Sequence, residues 1–119
     1  MPLLKIQTNQ LIDADRQKSL IHRASQEVAG MLGKPERYVM VSIEHNPAML
    51  FGGTDAPLAY LELKSSGLPE SKSADCSGAL ASLLNDELGL PAERIYIEFT
   101  DAPRTMWAGT AGLSSTPST

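Results

Sequence analysis

The residue most suited to chemistry in this chain is Pro2, which follows Met1 and opens a short apolar segment. A small second residue usually allows the initiator methionine to be removed, and Pro2 would then carry a free secondary amine. Such an amine, fixed in direction by the segment behind it, can serve as a general base. The alternative interpretation is structural, because proline has no amide proton and is common at the first position of a strand.

Other reactive side chains lack partners at useful spacing. His22 and His45 show no metal-ligand spacing, and the single cysteine, Cys76, excludes an internal disulfide and a cysteine-based metal cluster. Gly52-Gly53 is not followed by the Gly-Lys-Ser/Thr of a phosphate loop. Lys34 lies near the end of a predicted helix, where it could simply complement the helix dipole.

Composition restricts the class of protein. With 119 residues the chain is expected to form one domain, 1–119, with 108–119 as a flexible tail rich in Gly, Ser, Thr and Pro. A net charge of -4 argues against a nucleic-acid partner, which would require a basic surface. No apolar run approaches the ~18 residues that span a bilayer, and no signal peptide is recognisable. We therefore expect a cytoplasmic protein, with leaderless secretion as a further possibility, and no membrane partner.

Hydrophobic periodicity predicts two helices and four strands. The helices are indicated by apolar residues at three- and four-residue spacing, from Leu20 to Leu32 and from Cys76 to Leu88, each closed by glycine and proline. Asp13 or Asp15 is expected to begin the first helix. Alternating apolar residues predict strands in the first eight residues, Tyr38–Glu44, Leu58–Ser65 and Arg94–Thr100.

The two halves of the chain resemble each other. Pro2–Gln7 aligns with Pro57–Glu62, and Leu32–Arg37 aligns with Leu88–Arg94 after one inserted residue. Each half is predicted to be a right-handed βαβ unit, because it runs strand, helix, strand. The fold class is therefore α+β: two βαβ repeats forming a four-stranded mixed sheet, with both helices on one face.

That architecture leaves one face of the sheet without helices. It would display a group of large apolar and aromatic side chains: Leu3, Tyr38, Met40, Leu58, Tyr60 and Tyr96. A contiguous apolar patch of this kind usually marks an interface. We therefore expect a symmetric oligomer whose functional site lies between subunits.

Several short segments, taken together, carry a family resemblance. They are Met1-Pro2, Lys34-Pro35, Phe51-Gly52-Gly53 followed by Pro57, Ser65-Ser66-Gly67, and Arg94-Ile95-Tyr96-Ile97. In this order the chain resembles the macrophage migration inhibitory factor and D-dopachrome tautomerase family, from Met1 to about Trp107. The resemblance implies a homotrimer in which three sheets form a barrel and the active sites lie at subunit interfaces.

The resemblance also implies a site and a reaction. Pro2 would be the catalytic base, Lys34 would hold a substrate carboxylate, and the backbone near Ser66 would contact the substrate. The remaining implied residues are Tyr96 and Glu98 from a neighbouring subunit, and Met106 and Trp107 as an apolar wall. The partner would be an aromatic 2-oxo acid such as phenylpyruvate, interconverted between keto and enol forms without a cofactor. Burial and the Lys34 charge would both lower the pKa of the Pro2 ammonium, to roughly 6.

Departures from the family pattern affect substrate preference. Ser66 stands where the family commonly has isoleucine, and Glu98 where it commonly has asparagine. Leu58-Ala59-Tyr60-Leu61 replaces the Cys-x-x-Cys of the mammalian cytokine, which removes a thiol oxidoreductase function based on that motif. Two other functions stay open: a cytokine-like signalling module with vestigial activity, and a plain ferredoxin-like ligand-binding domain.

Overall fold

The computed structural model describes residues 1–108, except for the side chain of Arg104. Its four strands and two long helices follow the predicted order. The strands are β1 (Leu3–Thr8), β2 (Met40–His45), β3 (Ala59–Ser65) and β4 (Ile95–Asp101), and the helices are α1 (Ala14–Leu32) and α2 (Ser73–Leu88). The tail predicted for 108–119 lies outside the described residues, apart from Ala108.

The sheet has the order β2-β1-β3-β4. β1 is parallel to β2, β3 is parallel to β4, and the two central strands, β1 and β3, are antiparallel. Each parallel pair is connected through one helix, so the predicted pair of βαβ units in a mixed sheet is confirmed. The antiparallel seam places Leu3, just after Pro2, opposite Lys64 near the end of β3.

The ends of the helices are fixed by local chemistry. Asp13 is the N-cap of α1, and its carboxylate accepts a 2.8 Å hydrogen bond from the Arg16 amide. α1 ends at Gly33 in the left-handed region (φ 63°), a conformation that glycine adopts without penalty. Gly89 ends α2 in the same way (φ 70°).

The core lies between the helices and one face of the sheet. Alternate residues of the central strands are buried there, as the period of a strand requires. They meet the apolar stripes of both helices in one cluster, whose fully buried members include Leu4, Ile6, Leu20, Ala24, Val28, Leu61, Leu63, Leu80, Leu83 and Leu84. Within residues 1–108, no helix is long and apolar enough to cross a membrane.

Two details differ from the sequence prediction. Tyr38 belongs to a 3-10 turn, Glu36–Tyr38, because its amide bonds back to the Pro35 carbonyl (3.1 Å), so β2 begins only at Met40. Leu58 is buried rather than displayed on the open face (2% exposed). Charged side chains also alternate along that face, so it is not a purely apolar patch.

Candidate active site

A cavity of about 720 Å³ opens at the start of β1. Its walls come from the amino terminus, the turn before β2, the end of β3 and the segment after β4. The residues that matter chemically are Pro2, Tyr38, Lys64, Asp101, Met106 and Trp107. Because these elements are far apart in sequence, the cavity exists only when the sheet is assembled.

Pro2 is buried at the edge of this cavity. Its carbonyl accepts a 3.0 Å hydrogen bond from the Met40 amide, which joins the start of β1 to the start of β2. Proline brings no amide proton, so its position leaves no unpaired donor in the cavity wall. This hydrogen bond and the burial of the Pro2 ring anchor the chain start.

The amine at the chain start has a lowered pKa. In the full chain this amine belongs to Met1, and it stands in for the Pro2 amine that removal of Met1 would create. Its pKa falls from 8.0 to about 6, first because of burial and second because of the positive charge of Lys34. For the Met1 amine, the two causes are the ones that the sequence analysis expects for the Pro2 amine, whose own pKa stays a prediction.

Lys34 is placed by the end of α1. Its amide bonds to the Ala29 carbonyl (3.0 Å), continuing the cap formed at Gly33. Its ammonium Nζ donates a 2.8 Å hydrogen bond to the backbone carbonyl of Ser66, a residue only 3% exposed. Lys34 and Ser66 are thus adjacent, and the Lys34 charge reaches the amine although neither residue lines the cavity itself.

The loop that carries Ser66 is held by the end of β4. Asp101 Oδ1 accepts hydrogen bonds from the amides of Gly67 (2.9 Å) and Leu68 (3.1 Å). In addition, the Ala102 amide bonds to the Ser65 carbonyl (3.0 Å). Asp101 therefore helps to fix the position of the Ser66 carbonyl, which accepts the hydrogen bond from Lys34.

Met106 and Trp107 form a wall of the same cavity. Met106 is the last residue of the 3-10 turn Arg104–Met106, and Trp107 follows it. Met106 is 81% exposed, and Trp107 is half-buried. The Trp107 ring centroid lies 5.9 Å from Lys64 Nζ, within the range of a cation–π interaction.

Tyr96 and Glu98 do not line the Pro2 cavity. Tyr96 is 67% exposed and packs on Phe51, with ring centroids 4.6 Å apart. Glu98 accepts a 3.2 Å hydrogen bond from the hydroxyl of Tyr60. Burial, followed by this hydrogen bond, raises the pKa of Tyr60.

Sequence reasoning missed Lys64, Tyr38 and Asp101 as members of the site. Lys64 could have been found from strand alternation, since it shares a face with Tyr60 and Glu62. Its proximity to Pro2, however, depends on the register between β1 and β3, which the sequence does not specify. Tyr38 was placed in a strand instead of in the turn that directs it to the cavity.

The remaining candidates for chemistry are isolated. Among residues 1–108, no three His, Cys, Asp or Glu side chains are grouped so that they could hold a metal ion. Cys76 is buried in α2, and its burial raises the pKa of the thiol, which makes it less nucleophilic. His22 and His45 are exposed.

A sequence profile of the macrophage migration inhibitory factor family matches residues 1–113. The chain belongs to this family. Its relatives include the macrophage migration inhibitory factor homolog of Trichuris trichiura, 42% identical over 105 residues that cover 85% of this chain and 89% of the relative. The macrophage migration inhibitory factor of Mus musculus is 30% identical over 112 residues, covering 92% and 96%.

The fold agrees with this membership. The crystal structure of a macrophage migration inhibitory factor homologue from Prochlorococcus marinus is similar with a TM-score of 0.87 and 38% identity, over 96% of this chain and 99% of that chain. The resemblance inferred from Met1-Pro2 and the loop segments is thereby confirmed at the level of the family.

Proposed function

We propose that this chain is a keto–enol tautomerase of phenylpyruvate-like 2-oxo acids, with the amine of Pro2 as the general base. The observation that supports this most directly is the lowered pKa, about 6, of the partly buried Met1 amine, which stands in for the amine of Pro2. An amine with this pKa is mostly neutral at pH 7 and can accept a proton, whereas an ordinary α-amino group is mostly protonated.

The proposed reaction moves one proton. The amine takes a proton from the carbon next to the ketone, and the electron pair of that C–H bond forms the C=C bond of the enolate. The ammonium then gives that proton to the enolate oxygen, directly or through water, which gives the enol and restores the neutral amine. In the reverse direction the ammonium returns its proton to carbon, so the protein ends each cycle unchanged and no electron is transferred.

Charge at Lys34 supports the same reaction. A cation near the amine lowers the pKa of its ammonium form and also attracts an anionic substrate. As a proton leaves carbon, negative charge develops on the conjugated oxygen and carboxylate system, which the cation stabilises. The apolar wall of Met106 and Trp107 suits an aromatic ring next to the reacting carbon.

We also propose that the single tautomerase-like domain assembles as a homotrimer with shared active sites. Tyr96 (67%), Met40 (66%) and Leu50 (71%) are large apolar residues left exposed in the isolated subunit. Tyr96 and Glu98 do not reach the Pro2 cavity of their own subunit, so their proposed role requires a neighbouring copy. Light scattering should give the mass of a trimer at micromolar concentration, and a monomer mass would contradict the shared site.

The proposed activity and its base are best tested by assaying phenylpyruvate tautomerisation. The proteins to compare are the wild type, Pro2→Gly, and a form that keeps Met1. The intact mass of each protein must be measured first, because it shows which residue carries the amine. We expect activity in the wild type without Met1 and a large loss in Pro2→Gly. A wild type without activity would favour the second candidate, a cytokine-like protein-binding module, which the names of the relatives support. Location in the cytoplasm, or leaderless secretion, stays a prediction.

A further inference from the structure

A second lysine, Lys64, belongs to the wall of the Pro2 cavity. It lies near the end of β3, paired with Leu3 on one side and with Thr100 of β4 on the other. Lys64 is half-buried and lines the cavity directly, whereas Lys34 does not. A cation is therefore present on the cavity wall in addition to the one that lies beside the amine.

Among the salt bridges of residues 1–108, none involves Lys64. Its contact is with the Trp107 ring, at 5.9 Å. The carboxylate of the same cavity, Asp101, already accepts two amide hydrogen bonds through Oδ1. The cavity therefore contains an ammonium group that contacts an aromatic face and forms no ion pair with a carboxylate of the described residues.

An ammonium in this position should bind an anion well. A half-buried site has a lower effective dielectric constant than water, so a charge-assisted hydrogen bond there is stronger than one on an open surface. The Trp107 ring restricts where the ammonium can be without satisfying its donors. The cavity, about 720 Å³, also falls in the size range of sites for larger ligands than phenylpyruvate.

We propose that Lys64 is a specificity-determining residue that binds a second anionic group of the substrate. The preferred substrates would be 2-oxo acids with a further carboxylate distant from the reacting carbon, for example on the ring of an arylpyruvate. This inference rests on the proposed function, in which Lys34 serves the carboxylate next to the ketone. Lys64 then selects among substrates without taking part in proton transfer.

The test compares phenylpyruvate with 4-carboxyphenylpyruvate in the wild type, Lys64→Met and Lys64→Arg. Lys64→Met keeps an unbranched apolar side chain against Trp107 but removes the charge. We expect its KM for 4-carboxyphenylpyruvate to rise about tenfold or more, since it removes one partner of a partly buried charge pair. The kcat for 4-carboxyphenylpyruvate should change little, and KM for phenylpyruvate should rise clearly less than KM for 4-carboxyphenylpyruvate, so that the preference for the second substrate is lost. Lys64→Arg should largely retain the preference.

Equal rises in KM for the two substrates would overturn the proposal. A wild type that does not prefer 4-carboxyphenylpyruvate, the dianion, would overturn it as well. A Lys64→Met protein with altered mass by light scattering would overturn it too, because Lys64 would then belong to a subunit contact. Titration calorimetry with phenylacetate and 4-carboxyphenylacetate, which cannot react, separates this inference from the proposed function. Lys64-dependent binding of the dianion would support the inference even if Pro2→Gly left the tautomerase activity intact and so excluded Pro2 as the base.

Discussion

The ammonium of Lys34 donates a 2.8 Å hydrogen bond to the backbone carbonyl of Ser66, and this contact joins the end of α1 to the loop after β3. The loop is in turn fixed by Asp101, whose Oδ1 accepts the amides of Gly67 and Leu68. The position of the proposed substrate-binding cation thus depends on a carboxylate at the end of β4. Asp101 is a positioning residue in this account.

Asp101→Ala should weaken the binding of carboxylate substrates through Lys34. Loss of the two hydrogen bonds frees the 66–68 loop, so we expect KM for phenylpyruvate to rise several-fold with a smaller change in kcat. Asp101→Asn is the matched control, because its amide oxygen can still accept both amides. The account of Asp101 would fail if Asn and Ala raised KM equally, since that would indicate an effect of charge instead of loop position.

Much of the fold could be predicted because each helix and strand carries its own pattern. Leu20, Ala24 and Val28 have helical spacing and are all fully buried, and Gly33 and Gly89 end the helices as expected. Pro2 and Lys34 could be selected because a proline after the initiator and a lysine after a helix are recognisable locally. The proposal that Pro2 and Lys34 act together in one site came from the family resemblance.

What the sequence could not provide is the set of contacts between distant segments. Lys64 reaches the Pro2 cavity through strand register, and Asp101 acts through amides of a loop more than thirty residues earlier. Leu58 has the alternation of an open-face residue, yet it is buried beside Met49, Leu50 and Phe51 of the preceding loop. Loop packing of this type leaves no periodic pattern.

Arg94 should contribute to stability through the loop that precedes β3. Its guanidinium donates to four backbone carbonyls, those of Phe51 (2.7 Å), Thr54 (3.2 Å), Ala56 (2.7 Å) and Pro57 (3.3 Å). Most of these carbonyls are exposed and can bond to water after a substitution. We therefore expect Arg94→Ala to lower the free energy of unfolding by about 1–3 kcal/mol in urea denaturation.

Arg94→Lys is the control for charge, because lysine keeps the cation but cannot form the same planar set of donors. It should recover only part of the lost stability. A fully stable Arg94→Lys would contradict the assignment of Arg94 to multiple carbonyls and would favour a simple charge effect.

Glu98→Asn should improve activity on anionic substrates. Glu98 lies beside Glu62 in the register of β3 and β4, with the Tyr60 hydroxyl 3.2 Å from Glu98 and 3.4 Å from Glu62. If Glu98 approaches the site of a neighbouring subunit as proposed, its charge repels the substrate, and asparagine removes that repulsion. We expect kcat/KM for phenylpyruvate to rise by about two- to fivefold.

Glu62→Gln offers the matched control, since it removes the neighbouring charge on the same face of the sheet. It should change kcat/KM less than Glu98→Asn does. Equal gains from both variants would indicate a general effect of net charge, and an unchanged rate in Glu98→Asn would place Glu98 away from the substrate.

The most direct test of the central claim is the pH dependence of kcat/KM for the wild type and Lys34→Ala. The ammonium form of Pro2 cannot accept a proton, so kcat/KM should rise with pH through the pKa of this group. We expect that pKa to be lowered as it is for the Met1 amine, to about 6. Lys34→Ala removes a cation that lowers this pKa, so the rise of kcat/KM should move to higher pH. It should move by only part of the full shift, because burial is the larger cause. Lys72→Ala is the control and should leave the pH of this rise unchanged. Lys72 also donates to a backbone carbonyl, that of Met31, but it does not contribute to the pKa of the amine. If kcat/KM still rose at the same pH after acetylation of the amine, the account would be contradicted, because the group that titrates would not be the amine.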